Sequence, residues 1–113
     1  METIAEVNRA LRSNPEIAIA FASVCAQRAE KYANKLSRAA LKYAQRAKDC
    51  AASDLLKAAE HAVFSSQCAS HAPISGNENL KDSGSSEKRK KILEIIAEET
   101  AWQIKTLSAM LNK

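Results

Sequence analysis

Among side chains that could do chemistry, His61, Cys68 and His71 lie closest together along the chain. On a helix Cys68 and His71, at i and i+3, share a face, and His61 lies two turns before Cys68. One thiolate and two imidazoles could then converge on zinc or copper. A tetrahedral site needs a fourth group, and the other thiols, Cys25 and Cys50, match no established finger spacing. The paired Glu-x-x-His motifs of carboxylate-bridged di-iron bundles do not occur in this sequence. Cys68 and His71 are what remains of a metal reading, and no cofactor is expected. Glu94, Glu98 and Glu99 could hold magnesium only with acids from other helices. On a single helix they read as a charged outer face balanced by Lys90, Lys91 and Lys105. With no glycine-rich phosphate loop, nucleophile elbow or His-Asp pairing, the chain reads as non-enzymatic.

Cations form the second group. Arg28, Lys31, Lys35, Arg38 and Lys42 recur at i, i+3, i+7, i+10 and i+14, with Arg46 continuing the series. On one helix this is a basic stripe about four turns long, a candidate polyanion-binding face. The formal net charge is +4, unevenly placed: residues 28–57 sum to +5, and residues 58–86 to −2. No aromatic is interleaved within this stripe to stack on bases, which weakens a single-strand reading. Lys88-Arg89-Lys90-Lys91 opposes the macrodipole at a helix start, eased by pairing of Lys90 with Glu94 at i, i+4.

These side chains must be positioned by helices. At 113 residues the chain is one domain's worth, and 46% of it is hydrophobic with only 4% aromatic, alanine supplying much of the apolar count. The odd set of three cysteines, without a CxxC pair, favours a reducing compartment. Ile17–Ala26 lacks charge but follows Pro15 and Glu16 rather than a basic leader region, and no run approaches the roughly 20 apolar residues of a membrane span. The expected location is the cytoplasm.

Thr3 and Glu6 form a capping-box pattern ahead of a short helix over 3–13. Asn14-Pro15-Glu16 then reads as an N-cap, a proline in the first turn and an acidic start. From Pro15 to residue 71 there is no glycine and no further proline. Ala18, Ala22, Cys25, Ala29, Ala33, Leu36, Ala40, Ala44, Ala47, Ala51, Leu55, Ala58 and Ala62 keep an 11-residue rhythm close to the natural helix period. Two arrangements compete for 15–71. One is a single rod, which the preserved phase favours. The other is a hairpin broken near 49–54, with Ser53 or Asp54 capping a new helix. Residues 72–86 hold Pro73, Gly76 and Gly84 and read as a flexible linker. A C-terminal helix over 87–112 follows, with Leu93, Ile96, Ala97, Ala101, Ile104, Leu107 and Leu111 as its buried stripe.

The expected fold is therefore an all-α helical bundle of one domain, built on a long alanine-rich helix packed antiparallel with the C-terminal helix. The C-terminal helix is about half the length of the rod, which would leave part of the alanine seam uncovered, and long exposed apolar strips are rare in monomers. The expected function is protein–protein interaction or assembly. The surface would be Ala29, Ala33, Leu36, Ala40, Ala44 and Ala47, with Tyr32 and Tyr43 at its edge. The partner would be a second copy or another helical protein. A nucleic-acid-binding module using Arg28, Lys31, Lys35, Arg38 and Lys42 is the second reading. A membrane surface is disfavoured, because an alanine face gains little on insertion.

Overall fold

A computed structural model describes residues 2–75 and 86–112. These residues are all-α, with five helices: α1 Ile4–Ser13, α2 Pro15–Ala29, α3 Lys35–Cys50, α4 Leu55–Ser75 and α5 Ser86–Leu111.

Local chemistry sets the ends of each helix. Thr3 caps α1, its hydroxyl oxygen accepting from the Glu6 amide at 3.2 Å. Asn14 does not cap α2 as its position suggests. Its side-chain amide donates back to the Ala10 carbonyl at 2.8 Å and closes α1, while Pro15 starts α2 with a preset φ.

The expected rod does not form. α2 tightens into a 3-10 turn at Glu30–Tyr32, and Ala33 then takes the left-handed conformation with φ 48° and ψ 39°. Asn34 restarts the chain as N-cap of α3. Its Oδ1 accepts from the Ser37 amide at 3.0 Å, and the Ser37 hydroxyl oxygen accepts from the Asn34 amide at 2.8 Å. This reciprocal cap satisfies two donors that a continuous helix would have bonded internally. A second break follows at 51–54. The Ser53 and Asp54 amides bond back to the Cys50 carbonyl, and the Asp54 carboxylate accepts from the Lys57 amide at 3.1 Å to cap α4.

The expected linker at 72–86 also begins too early, since α4 runs on through Pro73 to Ser75. Pro73 is buried two residues before the helix end, where its lack of an N–H leaves the Ala69 carbonyl without its usual intrahelical donor. The Ala72 carbonyl accepts from the Asn34 side chain at 2.8 Å. The remainder of that linker, 76–85, lies outside the described residues.

The two breaks fold the alanine rhythm onto itself. α3 and α4 run antiparallel, as Asn34 meets Ala72 while Tyr43 meets His61. Alanines at the contact bring the backbones close enough for the Ser65 hydroxyl to donate to the Ala40 carbonyl at 2.6 Å. Ala18, Ala22, Ala26 and Ala29 of α2, Ala40, Ala44 and Ala47 of α3, and Ala58, Ala62 and Ala69 of α4 are all buried. Phe21, Leu11, Val7 and Leu107 supply the bulk that alanine lacks, each fully buried. α5 lies antiparallel to α4: Gln103 bonds to Ser66, and toward the start of α5 Ile96 lines the same cleft as His71.

Candidate interaction surfaces

α5 is docked by polar groups together with Leu107 and the half-buried Trp102, Ile104, Met110 and Leu111, which pack against the core. The Arg28 guanidinium of α2 donates to Glu99 at 3.2 Å and lies over the Trp102 ring, 4.4 Å from its centroid. The Gln103 amide donates to the Ser66 carbonyl at 3.2 Å. Glu99, Gln103 and Leu107 are the buried residues of this helix. Of the stripe expected from periodicity, Leu107 is buried and Ile104 and Leu111 are half-buried. Ala97 and Ala101 are exposed, and Leu93 and Ile96 are 65% and 40% exposed. The helix is turned roughly a quarter-turn from that expectation, at about 100° per residue. Amphipathic periodicity missed this because the groups that fix the rotation lie on another helix: Arg28 beneath α5 needs a carboxylate and a ring face, and only the turned helix offers Glu99 and Trp102 together.

Cys25 lies within this polar seam, 1% exposed. Burial drives its thiol far above the ordinary range, the Glu99 carboxylate adds to the effect, and the Arg28 guanidinium partly offsets it. Cys68 is pushed up as well, by burial. Neither thiol is poised as a nucleophile. Beside the seam a cleft of about 210 Å³ opens between α1, α4 and α5, with Ile4 and Ile96 among its walls beside Gln67, His71, Glu99 and Gln103.

The sequence candidates are dispersed. His61 lies against the Tyr43 ring at 5.8 Å, Cys68 is buried, and His71 is an exposed wall of the cleft. No three His, Cys, Asp or Glu side chains among the described residues come together in a metal-holding group. The basic stripe is split by the Ala33 turn. Arg28 is taken up by Glu99 and Trp102, Lys31 lies 5.2 Å from the Tyr32 ring, and Arg38 donates to the Ala33 carbonyl at 3.3 Å. Lys35 and Lys42 remain exposed on α3. The alanine seam is already covered by the chain's own helices. Ala29, Ala40, Ala44 and Ala47 are buried, Tyr32, Leu36 and Tyr43 half-buried, and only Ala33 is exposed. An uncovered strip would need an unbroken rod, and the breaks at 30–34 and 51–54 fold the seam inward instead.

No helix among the described residues is long and apolar enough to cross a membrane. Compared with known proteins, the chain matches no family model, no curated protein and no solved structure.

Proposed function

We propose that this chain is a non-enzymatic helical interaction module that pairs with a second copy of itself. The contact would lie at Leu93 and Ile96, in the first half of α5, rather than on the alanine seam. The observation that carries the reading is Leu93 at 65% and Ile96 at 40% exposure, on a helix whose inner face holds Glu99 and Gln103. Two large apolar side chains left part-exposed one turn apart, at the end of α5 that buries none of its side chains, are what a covering partner resolves. Charge order favours a copy of the same helix. Arg89, Lys90 and Lys91 precede Glu94 and Glu98, so two antiparallel copies set the basic start of one against the acidic middle of the other. Parallel copies would set like against like. The unpaired thiols fit a reducing, cytoplasmic setting.

The test is solution mass by light scattering over a concentration series, on the wild type and on Leu93→Glu/Ile96→Glu. Both positions are exposed, so the variant retains its helical circular dichroism. A wild-type dimer that the double variant reduces to a monomer supports the reading. A wild type that stays monomeric throughout overturns it, as does a dimer indifferent to the substitutions.

A further inference from the structure

The groove rim between α3 and α4, away from α5, gathers aromatics and cations that are far apart in the sequence. Tyr43 of α3 meets Phe64 of α4 edge to face, with ring centroids 4.5 Å apart, and the His61 imidazole lies 5.8 Å from the same ring. The Arg46 guanidinium lies 5.0 Å from the Tyr43 centroid. Phe64 is 46% exposed, which leaves part of its ring in solvent beside Tyr43. On α3, Lys35, Lys42 and Arg46 share one face at i, i+7 and i+11. On α4, Lys57 lies at i−7 from Phe64, and all four cations are exposed. Glu60, one turn before Phe64 on the same side of α4, is paired with Arg12 of α1 at 3.0 Å, which offsets its charge beside the ring.

From this arrangement we propose that the α3–α4 face binds single-stranded nucleic acid, its bases stacking on Phe64 and the Tyr43–Arg46 pair and its phosphates lying along Lys35, Lys42 and Lys57. The chemistry needs both kinds of group at alternating positions. A flat ring or guanidinium stacks on any base, and a cation beside it neutralises the adjoining phosphate. Within a duplex the base faces are covered by their neighbours, so a single strand is the occupant such a platform fits. Spacing along one helix conceals the site, because Phe64 and Lys57 come from α4 and join the α3 cations only after the break at 51–54 folds the two helices together. The proposal is independent of α5 and of self-association.

The experiment is fluorescence anisotropy with labelled oligo-dT and oligo-U at low salt. Hairpin duplex of equal charge is measured in parallel, on the full chain and on Phe64→Ala, Lys42→Glu and Arg46→Glu. The expected result is single-strand binding that Phe64→Ala weakens roughly tenfold, the loss of one stacked base. The slope of log affinity against log salt should be about −2 to −3, reduced by about 0.7 for each cation removed. The substituted positions are exposed or half-exposed, and unchanged circular dichroism confirms that each variant is folded. No binding by the wild type overturns the proposal. Equal affinity for duplex and single strand, or indifference to Phe64→Ala, also overturns it by leaving only an electrostatic patch. A preference for one oligonucleotide over the other assigns DNA or RNA as the strand.

Discussion

Cys25 is where burial and charge act on one small group. Its thiol is held neutral chiefly by burial, and the Glu99 carboxylate disfavours the thiolate further. In the unfolded chain the thiol returns to its ordinary value of 9.0. Below that pH both states keep the proton, and the group adds no pH dependence. Above it the unfolded chain loses a proton that the folded chain retains, so stability falls as pH rises, by at most about 1.4 kcal/mol per unit. Cys25→Ala should flatten this alkaline limb while lowering stability modestly at neutral pH through the lost sulfur packing. Urea denaturation of both proteins at about pH 8 and about pH 10 checks it through the difference between them, which cancels the other titrating groups. If the two lose stability equally between those values, Cys25 does not titrate on unfolding as its burial requires. Cys68 is shifted in the same direction, so the limb flattens in part rather than vanishing.

At the scale of the element, the decisive events are two short interruptions. Asp54 was legible from sequence because an Asx residue ahead of an apolar run is a known N-cap signal. The break at Ala33 was not legible, because alanine is the strongest helix former and among the poorest residues in the left-handed region. Its cause is the Asn34–Ser37 cap and the Asn34 contact to Ala72, the second of which exists only after α4 has packed. The alanine rhythm picked out most of the buried residues, failing at the breaks, where Ala33 and Leu55 are exposed and Ala51 is half-buried. It did not tell what covers them, since a phase preserved across 15–71 is equally compatible with helices folded back on one another. Ala33 thus carries a local cost of about 1–2 kcal/mol. Ala33→Gly removes that cost and adds about 0.5–1 kcal/mol of unfolded-state entropy, for a net gain of up to about 1 kcal/mol. Chemical denaturation reads it as a higher midpoint with an unchanged slope. A lower midpoint would mean that residue 33 does not occupy the left-handed region.

For the whole molecule, the question is how a 26-residue helix holds its place with three buried side chains. Glu99, Gln103 and Leu107 all lie in its second half, and the Arg28 and Ser66 contacts are made there too. The first half, Ser86–Glu98, contributes none of the buried side chains, and its Ile92 and Ile95 are only half-buried. Local opening free energy follows buried contacts, so in a monomer the amides of 86–98 should exchange far faster than those of 99–111. Pairing of two copies through Leu93 and Ile96 would add contacts to the weak half alone. Hydrogen exchange resolved by residue, at a low and a roughly hundredfold higher protein concentration, therefore separates intrinsic from assembled stability. Expected is slowing confined to 86–98 as concentration rises, with 99–111 and the α2–α4 core unchanged, because mass action stabilises only what the second copy touches. Uniform slowing across the chain would mean that folding as a whole is coupled to assembly and that the buried alanine seam is not sufficient alone. No change in 86–98 would leave its apolar face without a second copy to cover it.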